Sequence, residues 1–542
     1  MPIGAVMNAG MAGPKRLGRK RIGIAIPEKR ALLWMTWLAA ALEQEHEVTF
    51  VSVPCASSGA IPSSVFLVLQ LERIIYGSAK DCAIGDADLA GLRFEVLGFP
   101  GRTFDVVIDC CGGDTAMPPA GRVLRLTYGG VPGEAGALSA LFDGVAAELA
   151  VVDGKSGLII NSAIPAVSDR RLIGRSVDEI YSMAVELIVA TLKGALRPNQ
   201  QTAEHSASKS AAQNARQSLL FAASGLARNA SKWLTIQLSS HERWFVGWRY
   251  ARTETLLDSG SARFACLLDD GKRFYADPFP IRWKGDTYVF VEEFPFATQR
   301  GRIAVVKLGE YGQVSSPRPV LEEPYHLSYP QVFSFGGEIW MVPEGGANSS
   351  VHLYRAVDFP HRWRREAVLI ENVGAYDATL HFDSGTWWML VSICRNRGTG
   401  WDTLSIFRAD RLDGPWQAVE SASVLNARCA RSAGAIIAIG ATRLRPAQDC
   451  TQFYGGGVSM NRIDRLDRNG FQQTPVGRIQ SNEFGLHTYN CAGGVEVIDI
   501  FGRLGGRTLA EANYVPLPVA AEQAAAAKPA SSALEPHGAV AH

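Results

Sequence analysis

The feature that most constrains the fold is a drifting internal repeat in the second half of the chain. Full copies occupy Ala276–Glu293, Ser328–Glu344 and Tyr376–Ser392, and weaker copies begin at Arg431 and Leu486. Each full copy reads as a strand, a turn with glycine or serine, and a more apolar strand. Several strands per unit of roughly 40–55 residues are typical of a β-propeller. Five copies predict five blades; the competing fold is a β-sandwich with irregular loops.

The repeat also predicts which polar residues meet. Asp277, Pro330, Asp377, Arg431 and His487 hold equivalent starting positions, in steps of 47 to 56 residues. The innermost strand of each propeller blade lines the central channel. We therefore expect these positions to converge at one mouth of that channel.

Acidic residues end the second strand of the first two copies, at Glu292, Glu293 and Glu344. That strand runs antiparallel to the first and returns toward the same mouth. An unpaired buried carboxylate is costly, so a cluster of acids beside Arg431 is expected to have perturbed pKa values. Such perturbed groups mark candidate functional sites.

Two carboxyl groups, one protonated and one ionised, are the minimum for cleaving a glycosidic bond. We expect Asp277 to act as base or nucleophile, Glu344 as the acid, and Asp377 to orient the substrate or tune the pKa of its neighbours. The remaining polar and aromatic residues expected at this mouth are candidates for substrate binding: Glu293, Tyr329, Arg431, Asp449 and His487.

The first half of the chain has a different pattern of apolar residues. Residues 21–197 alternate apolar strands, such as Arg21–Ile26 and Phe104–Cys110, with helical patterns at Ala31–Leu42 and Val177–Leu196. This alternation predicts an α/β domain with an open parallel sheet. A GxGxxG loop is absent, which argues against dinucleotide binding.

Composition sets the remaining boundaries. Residues 1–20 and the low-complexity tail 513–542 are expected to be disordered. Residues 198–235 are rich in Ser, Ala, Gln and Asn and read as a linker. The propeller then spans 236–512, and Trp244–Tyr250 is expected to close its ring by pairing with the last blade.

Charge and cysteine usage exclude several classes of function. The net charge of +1 argues against nucleic-acid binding. The nine cysteines show no metal-binding spacing, so we expect neither a metal nor a cofactor. No secretory signal is visible and the apolar runs are too short to span a bilayer. We expect a soluble, cytoplasmic protein, with peripheral membrane contact left open.

Thirteen short motifs occur in order through the second half: ADPF, EEF, GRIAV, HLSYPQVF, MVPEG, LYRAVDFPHRW, YDATL, WWMLVS, LDGPW, ARSAG, RPAQDC, YGGGV and LHTYN. Together they resemble the N-terminal propeller domain of the plant glucosamine inositolphosphorylceramide transferases and its bacterial relatives, over roughly residues 240–505. The separate glycosyltransferase domain of the plant enzymes has no visible counterpart here. The resemblance therefore implies the propeller and a carbohydrate connection, but not the transferase activity.

A more distant resemblance is to the five-bladed arabinanase-like and invertase-like glycosidases. Their acids in the first and third blades correspond to Asp277 and Asp377. Their general acid is a Glu in a later blade, where this chain has Arg431 and Asp449. The nearest Glu candidate, Glu344, lies in the second repeat.

The first half resembles the formyltransferase-like fold through GRVLRLTYGGVPG (Gly121–Gly133) and FDGVAAELAVVDGKSGLII (Phe142–Ile160). The catalytic Asn and His of that fold have no counterparts at the required positions. The resemblance therefore implies a degenerate domain without formyl transfer.

Three functions follow as hypotheses. The first is a carbohydrate-active propeller that cleaves or transfers a glycosyl unit. The second is a non-catalytic module that recognises a glycan or glycolipid headgroup. The third is one-carbon transfer by the first domain, which requires a His and an acid facing a cofactor cleft within residues 21–197.

Overall fold

The computed structural model describes residues 18–194 and 242–517, apart from 28–29, 55–60, 62, 77–80, 89, 91, 97–102, 113–114, 143–147, 171, 252–253, 311 and 504–507. The predicted linker and most of both predicted disordered ends lie outside the described residues.

Among its described residues, the first unit contains an eight-stranded sheet and four helices. Its strands are β1 (Arg21–Pro27), β2 (Glu47–Val53), β3 (Phe94–Val96), β4 (Phe104–Asp109), β5 (Ala120–Tyr128), β6 (Val131–Pro132), β7 (Leu149–Asp153) and β8 (Ile159–Ala163). Its helices are α1 (Leu33–Glu43), α2 (Ser63–Tyr76), α3 (Glu134–Phe142) and α4 (Ile173–Lys193).

The sheet is mixed rather than wholly parallel. Its order is β3-β2-β1-β4-β5-β7-β8, and the first five strands pair in parallel. The prediction of an open parallel sheet is wrong for β7 and β8, which pair antiparallel. A tight turn explains the β7–β8 hairpin, because Asp153 Oδ1 accepts the amide hydrogens of Lys155 and Ser156.

Helix α4 packs against α1 and the sheet and contributes much of the core of this unit, including Val177, Ile180, Ala184 and Leu187. It ends at Gly194, whose φ of 68° provides a left-handed C-cap.

The second unit is almost entirely β. Its elements are β9 (Arg243–Tyr250), α5 (Leu256–Ser259), β10 (Ser261–Cys266), β11 (Arg273–Trp283), β12 (Asp286–Pro295), β13 (Arg302–Leu308), β14 (Arg318–Leu321), β15 (Ser328–Phe335), β16 (Glu338–Glu344), a 3-10 turn (Gly346–Asn348), β17 (Ser350–Asp358), β18 (Arg362–Glu371), β19 (Gly374–Asp383), β20 (Thr386–Cys394), β21 (Thr403–Ala409), β22 (Gln417–Leu425), β23 (Ile437–Ile439), β24 (Thr442–Gln448), β25 (Val458–Asp467), β26 (Gly470–Ser481), β27 (Tyr489–Ala492), β28 (Val495–Gly502) and β29 (Leu509–Pro516).

The first three predicted repeats form separate four-stranded antiparallel sheets, β11–β14, β15–β18 and β19–β22. The last two share a nine-stranded sheet, in which β23–β26 connect through β29 to β10, β9, β28 and β27. Strand β9 pairs with β28 along its whole length, so the predicted pairing of Trp244–Tyr250 with the last repeat is confirmed.

Side-chain hydrogen bonds join the first strands of different repeats, as expected for a propeller. The side-chain amide of Gln331 donates a hydrogen bond to the backbone carbonyl of Leu380, which joins β15 to β19. The side-chain amide of Asn490 donates a hydrogen bond to the backbone carbonyl of Pro278, which joins β27 to β11. No helix in the described part of the chain is long and apolar enough to cross a membrane.

Candidate functional site

Three inner strands carry the same backbone irregularity at the axis. The registers of β11, β15 and β19 each shift at a bulge that contains Asp277, Tyr329 and Asp377, respectively. All three residues are left-handed, with φ of 50°, 43° and 50°. This conformation is uncommon outside glycine, and in a Tyr it is an outlier. The equivalent of Asp277 in the second repeat is therefore Tyr329, and the predicted equivalence with Pro330 is wrong by one residue.

Asp277 is buried among polar groups from distant parts of the chain. Its Oδ1 accepts a hydrogen bond from Thr488 Oγ1 at 2.9 Å, and its Oδ2 accepts one from the Tyr329 amide at 3.1 Å. Burial raises the pKa of Asp277 to about 6, helped by the negative charges of Asp499 and Asp377 and opposed by His487. A carboxyl group with such a pKa can exchange a proton near neutral pH.

His487 forms a short ion pair beside Asp277. Its Nδ1 lies 2.7 Å from Asp499 Oδ2 and 3.6 Å from Asp277 Oδ1. Burial lowers the pKa of His487, but the two carboxylates outweigh that effect and the net pKa is raised. Asp499 also accepts backbone hydrogen bonds from Asp277, His487 and Thr488, so it is held in place on both oxygens.

Asp277, His487 and Asp499 have the geometry of a possible cation site. One donor atom from each lies within 4.8 Å of the others. The same atoms already satisfy one another through the ion pair and the hydrogen bonds above. Their hydrogen-bonding and charge requirements are therefore met without an ion, although the three side chains would also suit a divalent cation.

Asp377 and Glu344 meet at the guanidinium group of Arg431. Arg431 Nε lies 2.5 Å from Asp377 Oδ2, and its Nη2 lies 3.4 Å from Glu344 Oε2. Gln448 also donates to Asp377 Oδ2, at 3.0 Å. Burial and the charge of Asp377 raise the pKa of Glu344 well above its ordinary value, although Arg431 opposes them.

The second strand of the first repeat contributes Glu292 rather than Glu293 to the site. Burial and the charges of Asp277, Asp499 and Asp377 raise the pKa of Glu292 well above its ordinary value. Glu293 points to the other face of β12, where Arg273 and Arg302 bind it. The prediction that Glu293 binds substrate is corrected by the alternation of side chains along a strand.

The side chains of two other predicted residues have structural partners outside the group of acids described above. Asp449 accepts hydrogen bonds from the hydroxyl and amide of Thr451 and lies 3.4 Å from Arg478 Nη2, which fixes its loop. The hydroxyl of Tyr329 contacts Thr379 Oγ1 at 2.9 Å and accepts the amide hydrogen of Gly434 at 2.8 Å.

Aromatic rings border the charged groups. Trp244 stacks on His487 with 3.8 Å between ring centroids, and Tyr454 approaches the same ring at 5.3 Å. The Arg431 guanidinium lies over the rings of Tyr376 and Tyr454 at 5.3 and 5.2 Å. Such rings suit the apolar faces of a sugar as well as the cation.

We call the seven charged residues at the axis the axial cluster: Asp277, Glu292, Glu344, Asp377, Arg431, His487 and Asp499. The repeat pattern predicted five of them as site residues. Asp499 was missed, although an acid within the apolar run VEVIDI was a usable signal. Trp244 and Tyr454 carried no such signal, because aromatic residues are common throughout this unit.

The first unit contacts the loops on the axial-cluster side of the propeller. The amide of Ala166 donates to Asp402 Oδ2 at 2.8 Å, and Ile164 pairs in parallel with Asn426. Ala166 also packs with Cys450, next to Trp401 and Tyr454. Since Tyr454 touches both His487 and Arg431, the first unit supports one wall of the site.

Residues 266–497 match the family model described as glucosamine inositolphosphorylceramide transferase 1, N-terminal. Glucosamine inositolphosphorylceramide transferase 1 of Oryza sativa subsp. japonica is 31% identical over 224 residues, which cover 40% of this chain and 30% of the relative. The Arabidopsis thaliana protein of that name is 30% identical over 224 residues, which cover 40% and 29%. The chain thus spans about three tenths of the length of the curated relatives it matches.

Solved structures give a weak likeness. The RS223 β-xylosidase superposes with a TM-score of 0.34 at 11% identity, over 46% of this chain and 96% of that chain. An exo-1,5-α-L-arabinanase from a bovine ruminal metagenomic library gives a TM-score of 0.32 at 14% identity, over 45% and 94%. At these scores neither likeness bears on activity. The family match is the firmer result: residues 266–497 are similar to the N-terminal region of the glucosamine inositolphosphorylceramide transferase 1 family.

Proposed function

We propose that the axial cluster binds a sugar-containing compound and performs acid–base chemistry on its glycosidic bond, within a five-bladed propeller. The observation that supports this most is the balance of charges in the cluster. Five carboxyl groups share one buried space with Arg431 and His487. A third basic group, His326, lies 3.3 Å from Glu292 Oε1, but burial lowers its pKa and so disfavours its charged form. At least some of the carboxyl groups must therefore hold protons near neutral pH.

The contacts indicate which carboxyl groups hold them. Arg431 is closest to Asp377, and His487 is closest to Asp499, so these pairs account for both positive charges. The pKa values of the other three, Asp277, Glu292 and Glu344, are all raised. The cluster thus combines proton donors with ionised carboxylates, which is the requirement for glycosidic bond chemistry.

The pKa values and contacts suggest a different role for each of three carboxyl groups. Asp277, with a pKa of about 6, can lose its proton near neutral pH and serves as base or nucleophile. Burial and the charge of Asp377 raise the pKa of Glu344 well above its ordinary value, and this residue serves as the acid. Asp377, held by Arg431 and Gln448, positions the substrate and keeps Glu344 protonated through its charge.

A sugar ligand is supported by the surroundings and by the relatives. Trp244, Tyr376 and Tyr454 offer ring faces beside the charged groups. The matched relatives are named glucosamine inositolphosphorylceramide transferase 1, a name that contains a sugar and a phosphorylceramide. A sugar or a glycolipid headgroup is therefore the substrate class we propose, and it is compatible with peripheral contact with a membrane.

The second candidate is recognition of the same ligand without chemistry. The contact that favours it is the ion pairing of Arg431 with both Asp377 and Glu344, since a cation favours the ionised form of a carboxyl group, which has no proton to donate. Asp277 and Glu292 make no arginine contact in the described part of the chain, which is why we place the acid–base function first.

One-carbon transfer by the first unit lacks its required histidine at the cleft. The only histidine in residues 21–197 is His46. It directly precedes β2 and therefore lies at the amino-terminal edge of the parallel strands. Ligands of open α/β sheets bind at the opposite edge.

The test is a screen of aryl glycosides and glycolipids with the full chain, Asp277→Asn, and Glu338→Gln as a control. Glu338 lies at the far end of the strand that carries Glu344 and is exposed. We expect turnover by the wild type and by the control, and a loss of at least 100-fold in Asp277→Asn. Binding without turnover by any form would favour the recognition module, and neither binding nor turnover would reject both.

A further inference from the structure

Helix α2 turns an apolar face toward solvent. Four exposed aliphatic side chains form this face: Leu67 (55%), Leu71 (41%), Ile74 (79%) and Ile75 (50%). Their spacing of i, i+4, i+7 and i+8 places them together on one side of the helix. The opposite side contains Val65 and Val68, which are buried in the core of the first unit. We call the four exposed residues the α2 face.

The α2 face contains no charged side chain. The two charged residues of this helix, Glu72 and Arg73, lie on other sides of it. Glu72 is buried, and its carboxyl group accepts the backbone amide hydrogens of Ile173 and Gly174, at the start of α4, at 2.7 and 3.0 Å. A helix normally presents charged and polar groups to water, so an uncharged aliphatic face indicates a surface that contacts protein or lipid.

A second copy of the chain is the less suitable occupant of this face. A stable interface between two proteins buries about 800 Å² on each partner. Four aliphatic side chains on one 14-residue helix fall short of that area by themselves. A lipid bilayer needs no surface of matching shape, because an amphipathic helix lies in the membrane plane and inserts its apolar face between headgroups and acyl chains.

Short contacts connect α2 to the axial-cluster side of the propeller. Glu72 binds the start of α4, and Arg170, three residues before α4, donates a hydrogen bond to the carbonyl of Thr451 at 2.8 Å. Thr451 lies three residues before Tyr454, whose ring contacts His487. These links keep α2 close to that side of the propeller. A membrane bound by the α2 face would therefore be adjacent to the mouth at which a glycolipid headgroup enters under the proposed function.

We propose that the α2 face docks this protein on a lipid bilayer by apolar insertion. The four aliphatic side chains would enter the boundary between headgroups and acyl chains, while the rest of the first unit stays in water. Because the face is uncharged, the attraction depends little on salt or on anionic lipid. Binding strength scales with the inserted apolar area, so four side chains give reversible binding. The docking does not require the axial cluster, but the presentation of a glycolipid headgroup to that cluster rests on the proposed function.

The test uses the full chain and vesicles of phosphatidylcholine, a lipid without net charge. Co-sedimentation at low and high salt would measure binding, and hydrogen exchange would locate it. We expect the protein to bind the vesicles with an affinity that changes less than threefold between the two salt concentrations. Amide exchange in peptides that cover α2 should slow when vesicles are present, whereas exchange in β13 should not change.

Two variants place a charge on the α2 face. Leu71→Glu and Ile74→Glu should each weaken vesicle binding at least 10-fold, because a carboxylate resists transfer into an apolar layer. Leu268→Glu, at an exposed leucine of the propeller unit, is the matched control and should not change binding. Since Leu71 and Ile74 are exposed, both variants should keep the melting temperature of the wild type.

A second copy of the chain is the alternative occupant, and sedimentation velocity without lipid would detect it. The proposal is overturned if the chain forms a dimer that Leu71→Glu dissociates, if the vesicles are not bound, if high salt abolishes binding, or if both variants bind like the wild type. Vesicle binding without turnover of any glycoside would support the α2 face and count against the chemistry proposed for the axial cluster. Turnover without vesicle binding would do the reverse.

Discussion

Arg431 Nε lies 2.5 Å from Asp377 Oδ2, although the two residues belong to different repeats of the propeller. Both side chains are almost completely buried. A buried ion pair adds little net stability compared with apolar residues, but removal of one partner leaves an uncompensated charge. This pair therefore fixes the relative position of two repeats and also the charge state of the axial cluster.

The first prediction concerns this pair. Arg431→Met should lower the free energy of unfolding by about 3–5 kcal/mol, because Asp377 loses its cation in a buried space. Arg431→Met combined with Asp377→Asn should recover a large part of that loss. Urea denaturation of the two variants measures the difference. Arg411→Met, which removes an exposed pair with Asp413, is the control and should leave the free energy of unfolding almost unchanged.

The second prediction is a dependence of stability on pH. The unfolded chain loses the Asp277 proton near pH 4, whereas the folded chain keeps it up to about pH 6. Between these values the folded form holds the extra proton, so the Asp277 contribution to stability falls as pH rises. The raised pKa of His487 acts in the same direction above pH 6.5.

Asp277→Asn removes the Asp277 share. Its free energy of unfolding relative to wild type should therefore rise by on the order of 2 kcal/mol between pH 4 and pH 7. Urea titrations at several pH values measure this difference. A difference that does not change with pH would show that Asp277 has an ordinary pKa in the folded chain.

The axial cluster could be predicted in large part because a repeat converts distance along the chain into proximity at the axis. Asp277, Asp377, Arg431 and Glu344 follow from equivalent positions in the copies. The bulges were not visible in the sequence, so the second copy was aligned on Pro330 rather than Tyr329. Because the register of β12 was also not visible, Glu293 was predicted as the site residue, whereas Glu292 faces the other acids of the axial cluster.

The first unit was harder to predict. The parallel strands β1, β2 and β4 follow from their apolar runs and the helices between them. The antiparallel strands β7 and β8 do not, because a buried strand has the same apolar pattern in either direction. The hydrogen bond between Ala166 and Asp402 joins the two units, and no sequence pattern around either residue predicts a contact between positions so far apart in the chain.

The third prediction tests whether Tyr329 serves the fold or the ligand. Its hydroxyl accepts the Gly434 amide hydrogen and contacts Thr379. Tyr329→Phe leaves that buried amide without its acceptor, so we expect a loss of about 1–3 kcal/mol of stability. The affinity for a bound sugar should stay within threefold of wild type. A large loss of affinity with unchanged stability would instead return Tyr329 to the substrate-binding residues.

The fourth prediction concerns the contact between the two units. Asp402 is buried, and its Oδ2 accepts the amide hydrogen of Ala166 at 2.8 Å. Asp402→Ala removes this acceptor and leaves a buried amide unsatisfied, which costs about 1–3 kcal/mol. Amide exchange should therefore become faster in peptides that cover residues 163–170, while peptides from the opposite side of the propeller, such as β13, keep their rates.

The matched control for this experiment is Asp410→Ala, an exposed aspartate just beyond the end of β21. It should change neither set of peptides. Because Ala166 packs beside Cys450, Trp401 and Tyr454, the Asp402→Ala variant should also loosen the wall of the axial cluster. A weaker affinity for a bound sugar in this variant, but not in Asp410→Ala, would show that the first unit shapes the propeller site. Equal affinities and equal exchange rates in both variants would show that the two units act independently.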